Sequence, residues 1–204
     1  MMTDLLEQLK YQLAGYSPPS SLVNLPQASV LIAITKCIEL PELILIQRAH
    51  HLSSHSGEVA FPGGKREPQD TNLWQTALRE SHEEVCIIPE SVEYLGQLRS
   101  IVSRFGISVT PFVGLIPPKT HLIPCPDELE CCFRVPLAFF LKEQNLGWDR
   151  LNYGGHDFVL PSYQYQDHKI WGLTAIVLAD LLNTVFEANI DLNLPHYKRF
   201  SLNH

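Results

Sequence analysis

The chain has 204 residues, is 45% hydrophobic and carries a formal net charge of −7. That supplies a substantial core and suits one large domain, or one domain with a terminal extension. No basic run appears, which argues against nucleic-acid backbone binding, and no apolar run approaches the ~20 residues of a membrane helix.

Leu5, Leu6, Leu9 and Leu13 recur at helical spacing, so residues 3–14 read as a short amphipathic helix. The opening "MMTDLLEQLKYQLAGY" lacks a basic leader and a continuous apolar stretch, so it does not read as a signal peptide. A Pro- and Ser-rich connector, "SPPSSLVNLPQ", follows. "ASVLIAITK" and "ELILIQR" read as two strands of a hairpin turning near Pro41. "AHHLSSHS" is a polar loop and "GEVAF" a brief strand ending at Pro62. From Pro62-Gly63-Gly64 a loop is expected to run to about Asn72.

Residues 73–85 read as a helix with Leu73, Ala77, Leu78 and Ser81 on one side and Arg79, Glu80, Glu83 and Glu84 on another. "VEYLGQLRSIV" and "ISVTPFVGLIP" alternate as strands. "HLIPCPDELE" is a loop kept extended by Pro124 and Pro126, and "CCFRVPLAFFL" runs from strand into helix. "HKIWGL" is the last strand candidate, and "TAIVLADLLNTVFEANI" a C-terminal helix. With no internal repeat and no linker, residues 1–204 form a single α/β domain, a mixed sheet with helices on both faces.

The five cysteines are Cys37, Cys86, Cys125, Cys131 and Cys132. An odd count without CxxC spacing argues against a disulfide framework or a zinc site, and in favour of small buried hydrophobes in a reducing, cytoplasmic setting. An acidic protein that handles an anionic substrate needs bound cations or a local basic patch.

The glutamates raise the chemical question. Glu80 lies i, i+3 from Glu83 and i, i+4 from Glu84, so all three share a helical face and repel by a few tenths of a kcal/mol per pair, about 0.2–0.5. A solvated acidic surface is one explanation. A hard cation that relieves the repulsion is the other, since Mg2+ is held by one or two carboxylates together with water and substrate phosphates. The preceding Gly63-Gly64 lets backbone approach a ligand closely. Arg79 is placed to pair with a loop carboxylate such as Asp70.

The run Gly64, Arg79-Glu80, Glu83-Glu84, Ile87 resembles the Nudix box, the loop–helix signature of the Nudix hydrolases. It departs from that pattern in four ways. The loop before Arg79 is one residue longer, Asp70 replaces the loop Glu, Ser81 replaces an apolar residue, and Cys86 replaces a glycine. A left-handed backbone at Cys86 costs about 1 kcal/mol. Upstream, "LILIQRAHHLSSHSGEVAFPGG" is similar to the added signature of the coenzyme A pyrophosphatase branch, and the resemblance spans about residues 28–182.

The resemblance implies a Nudix fold, an α/β/α sandwich. It implies Mg2+ or Mn2+ held by Glu80 and Glu84 with help from Glu83 and the Gly64 carbonyl, and Arg79 orienting the box. Arg48, Ser54, His55, Gly57 and Gly63 become substrate-side residues, and Glu128 a candidate additional carboxylate, as ligand or base. The expected partner is a small nucleotide diphosphate, with no nucleic acid, no membrane and a homodimer as one oligomeric form. The implied reaction is hydrolysis of coenzyme A to adenosine 3′,5′-bisphosphate and 4′-phosphopantetheine. ADP-ribose, a dinucleotide or an oxidised nucleotide as substrate, or a silent binding module, remain the alternatives.

Overall fold

The computed structural model describes residues 4–19, 24–52, 55–153 and 156–192. Helix α1 (Leu5–Gly15) starts where the Asp4 side chain accepts the Leu6 N–H, and buries Leu6, Leu9 and Leu13. Strands β1 (Gln27–Thr35) and β2 (Glu42–Arg48) form the expected hairpin, Ile34 opposite Leu43. β3 (Val59–Ala60) pairs with the end of β2. The segment expected to be loop throughout from Pro62 begins differently. Gly63–Lys65 forms β4, antiparallel to β1, with Ser29 opposite Gly64. Gly-Gly-Lys has no strand propensity of its own, and β1 imposes the pairing.

Helix α2 (Leu73–Val85) occupies the expected residues. The Asn72 side chain caps it by accepting from the Gln75 N–H at 2.9 Å. It is followed by β5 (Glu93–Gln97), β6 (Ile101–Val102), β7 (Ser108–Ile116), β8 (Leu129–Pro136) and the short α3 (Leu137–Phe140). β9 (Leu146–Tyr153), β10 (His156–Tyr165) and β11 (His168–Ile170) precede α4 (Gly172–Phe186).

β3, β2, β1, β7 and β5 lie side by side, and β4, β6 and β8 extend the same sheet. β1 and β7 are parallel from Gln27–Ser108 to Thr35–Ile116, whereas the other pairs are antiparallel, so the sheet is mixed. Alternation along β1 divides two cores. Leu31 and Ala33 pack with Ala77, Val85 and Ile87 from the α2 side. Ile32 and Ile34 share the opposite core with Leu9 of α1 and Leu178 and Leu182 of α4. Helices therefore cover both faces, as expected.

β9 and β10 were not expected. They form an antiparallel hairpin with β11, a separate three-stranded sheet packed beside α4. Trp148 and Val159 are exposed on it, so the alternation that marks a half-buried strand is blurred.

Candidate active site

The loop after β4 is a turn that brings Asp70 back under α2. The Asp70 N–H donates to Glu67 O, while Asp70 Oδ2 accepts the Glu67 N–H at 2.9 Å. Arg79 then donates from Nε to Asp70 Oδ1 and from Nη2 to Oδ2, each at 3.0 Å. The Thr76 hydroxyl donates to the same Oδ2 at 3.0 Å. Asp70 is buried, and its hydrogen bonds from Arg79 hold its carboxyl down to about 2. The Arg79 side is pushed above its ordinary value by the same contact. Thr76 had no sequence signal beyond its i−3 spacing from Arg79.

Arg79 has further work. Nη2 donates to Lys65 O and to Glu80 Oε1, both at 3.1 Å, and Nη1 to Glu83 Oε2 at 2.9 Å. Glu83 is thus held by Arg79 and its side chain is 57% exposed. Its carboxylate is the outlying member of the expected trio. Glu84 is the opposite case. Expected on the side away from Ala77, Leu78 and Ser81, it is only 3% exposed and is buried on α2 as they are. Carboxylates are rarely buried without a specific partner.

Glu84 Oε2 accepts the Gly63 N–H at 2.9 Å, and Oε1 lies 3.8 Å from Arg48 Nη1. Burial raises the Glu84 carboxyl to about 8 against the pull of the Gly63 N–H, with Glu80 and Glu128 adding repulsion. Burial also raises Glu80, which Arg79 opposes and Glu83 and Glu128 reinforce. Arg48 Nε is buried and has no hydrogen-bond partner among the described residues.

The glycines are fitted to these carboxylates. A Cβ on Gly64 would stand 2.4 Å from the Glu80 carboxylate carbon. One on Gly63, whose φ is +152°, would stand 2.2 Å from Ser29 O. Gly64 therefore lies in contact with one box carboxylate while Gly63 binds the other.

The loop at residues 121–128 docks on the end of α2. The Cys125 N–H donates to Glu84 O at 2.8 Å and the Ile123 N–H to Val85 O at 3.2 Å, satisfying carbonyls left open at a helix C-terminus. This brings the exposed Glu128 close enough to influence both Glu80 and Glu84. Cys86 has the left-handed φ of 59° and ends the helix, its N–H returning to His82 O. Ser81, at the expected apolar position, is buried and donates to Ala77 O at 2.6 Å.

Of the upstream residues, Arg48 reaches Glu84 directly. Gly57 returns the chain to β2, its N–H donating to Arg48 O at 3.1 Å, and the Arg48 N–H donates to Glu58 O at 3.0 Å. A Cβ at Gly57 would meet the His50 ring at 2.6 Å. His55 Nδ1 lies 2.5 Å from Glu58 Oε2, on the outer side of that loop. Ser54, like Ser53, lies outside the described residues. Among the described residues no three His, Cys, Asp or Glu side chains converge as a ready metal cage, and no helix is long and apolar enough to cross a membrane. Crowded, partly buried carboxylates flanked by Arg48 and Arg79 fit a divalent cation that takes its other ligands from water and phosphate.

A family model for the NUDIX domain matches residues 26–144. The chain is 40% identical over 176 residues to the uncharacterized Nudix hydrolase NudL of Yersinia enterocolitica, covering 86% of this chain and 90% of the relative. It is 41% identical over 177 residues to the protein of the same name from Photorhabdus laumondii, covering 86% and 94%. The solved structure of a MutT/nudix family protein from Enterococcus faecalis superposes with a TM-score of 0.52 at 15% identity, covering 92% of this chain and 76% of that one. That likeness is of the fold alone. Sequence match, sheet topology and the glycine-loop-to-helix geometry agree, and the chain belongs to the Nudix hydrolase family.

Proposed function

We propose that this Nudix hydrolase cleaves the diphosphate linkage of coenzyme A or its derivatives, releasing adenosine 3′,5′-bisphosphate and 4′-phosphopantetheine. The observation that carries the hydrolytic part is the joint placement of Glu80 against Gly64 and Glu84 on the Gly63 N–H. The segment from Arg48 to Gly64, with its likeness to the coenzyme A pyrophosphatase signature, carries the substrate choice.

Glu80 and Glu84 would hold Mg2+ or Mn2+ with the Gly64 carbonyl, and Glu83 would assist directly or through water. The cation, when bound, supplies charge neutralisation of the diphosphate and a lower pKa for the attacking water. Water attacks one phosphorus, the anhydride P–O bond breaks, and the proton passes to Glu80 or Glu128. Arg48, with its unsatisfied Nε, donates to a phosphate oxygen. Arg79 fixes the Asp70 turn against α2, keeping Gly63 and Gly64 in register with the carboxylates.

A product-resolved screen of coenzyme A, ADP-ribose and NADH with Mg2+ and Mn2+ tests this. Coenzyme A should give the highest kcat/KM, with the bisphosphate and phosphopantetheine as products. An equal or higher kcat/KM on ADP-ribose rejects coenzyme A as the preferred substrate. Binding without turnover of any of the three rejects hydrolysis.

A further inference from the structure

The turn between β6 and β7 presents an arginine and an aromatic ring to the loop that leads into β3. Ser103 stiffens that turn: its Oγ accepts the Phe105 and Ile107 N–H groups at 3.3 Å each, and its carbonyl accepts the Gly106 N–H at 3.0 Å. Gly106 has the left-handed φ of +73° that closes it. The Arg104 guanidinium stands 4.7 Å from the Phe105 ring centroid, and the His55 ring meets Phe105 edge-on at 5.2 Å. Glu58 ties the two sides together, with Oε2 on His55 and Oε1 3.8 Å from Arg104.

This cluster is continuous with the carboxylate site. Glu58 pairs through its backbone with Arg48, whose guanidinium faces Glu84. Phe105 is 57% exposed, so its ring is open to a ligand from solvent. In a chain of net charge −7, Arg104 adds a cation on the other side of Glu58 from Arg48, which the Glu58 backbone pairs with.

We propose that Arg104 and Phe105 form the subsite for the nucleoside end of the substrate, the ring stacking a planar base and Arg104 binding a phosphate monoester on the ribose. This rests on the coenzyme A reading for the identity of the ligand but not for its test. A guanidinium suits a phosphate monoester because its fork donates two parallel hydrogen bonds, and a base stacks on an aromatic face without needing sequence-like recognition. His55 and Glu58 hold the platform in place.

The test is calorimetric titration of the metal-free protein with adenosine 3′,5′-bisphosphate and with adenosine 5′-monophosphate. The wild-type protein should prefer the bisphosphate by roughly 10-fold, the scale of a hydrogen bond to a charged group. Arg104→Ala should abolish the preference and Arg104→Lys should restore part of it. Phe105→Ala should weaken both ligands by a similar factor, roughly 10-fold. Both residues are exposed, and thermal melts check that each variant folds. No preference in the wild-type protein, or a preference that survives Arg104→Ala, overturns the subsite. In turnover, Arg104→Ala should lower the ratio of kcat/KM for coenzyme A over its 3′-dephospho form by the same factor, and an unchanged ratio also overturns it. If coenzyme A is not hydrolysed but the bisphosphate preference and its loss are seen, the subsite stands and the substrate assignment fails.

Discussion

Arg79 Nη2 donates to Asp70 Oδ2 and to Glu80 Oε1, so one nitrogen joins the buried loop carboxylate to a box carboxylate. Removing Arg79 strands Asp70. Arg79→Ala should cost about 3 kcal/mol of stability, the scale of a broken buried ion pair, and should depress turnover as the loop loosens. Asp70→Asn keeps the size and one accepting oxygen but sets an amide donor against the donors on the other, so it should do damage that is smaller than loss of the arginine. Glu67→Gln, at an exposed position of the same turn, should be near neutral. Thermal melts and turnover of the three variants check this order. Greater damage from Glu67→Gln than from Asp70→Asn would reverse the assignment of the loop acid.

The same pair sets an acid limit. Asp70 is held down to about 2, below its unfolded value of 3.8, so its contribution to stability is complete above about pH 3.8. It is lost as pH falls through about 2. Denaturant melts of Asp70→Asn and wild type should converge toward that end of the scale.

Glu84 acts in the opposite sense. Its folded value of about 8 exceeds the ordinary 4.5, so between those limits the folded state keeps a proton that the unfolded state has released. The group's contribution to the metal-free protein therefore falls as pH rises through this window. A cation that binds the ionised carboxylate offsets the loss. The rise in Tm on adding millimolar Mg2+ should be larger at about pH 8.5 than at about pH 6, and Glu84→Gln should remove the difference. A metal-induced shift in Tm that does not depend on pH would reject this role for Glu84.

Glu80→Gln and Glu84→Gln should each lower turnover at least ~100-fold in folded protein, because losing a metal-holding charge removes several kcal/mol of transition-state stabilisation at 1.36 kcal/mol per tenfold. Near-normal rates in both would exclude them as the metal platform.

The paired glycines should separate stability from catalysis. Gly63→Ala forces a Cβ onto the β1 backbone and should cost about 2 kcal/mol, as overpacking does. Gly64→Ala meets the end of a movable side chain instead, so the expected damage is displacement of the Glu80 carboxylate and a loss of rate, with a smaller change in Tm. Steady-state rates and melts on the two variants read this directly.

Cys86→Gly should leave activity intact and raise stability by about 0.5 kcal/mol. The left-handed φ of 59° strains a cysteine by about 1 kcal/mol, and the added freedom of glycine in the unfolded chain takes back part of that. A large fall in rate would give the thiol a chemical role.

Much of the site could be read from the sequence because local rules govern it. The apolar spacing placed α2 at residues 73–85, and Arg79 with Asp70 paired as charge and geometry suggested. The burial of Glu84 could not be read, because its position depends on the Gly63 N–H arriving from β4, a strand with no propensity of its own. Arg104 and Phe105 were equally hidden. Nothing near them in sequence is catalytic, and only the β6–β7 pairing carries their turn to the His55 loop. The β9–β10 hairpin was missed where exposed Trp148 and Val159 obscure the alternation, although Gly154-Gly155 between two aromatic-rich runs is a hairpin signal.

The parallel pairing of β1 with β7 has a consequence in time. Ser29 Oγ donates to Thr110 O across 81 positions of the chain, and every residue of α2 lies between them. A ribosome must deliver the chain beyond Ile116 before β1 gains this neighbour. Contacts closed over such long loops form slowly, because the entropy of closure is lost before the contacts stabilise the pair. The glycine loop and α2 can form their local turns early, but the floor beneath them is completed late. With closure of the β1–β7 seam as the slow step, substitutions along it should slow refolding, whereas changes to the box carboxylates should alter catalysis and leave the refolding rate nearly unchanged.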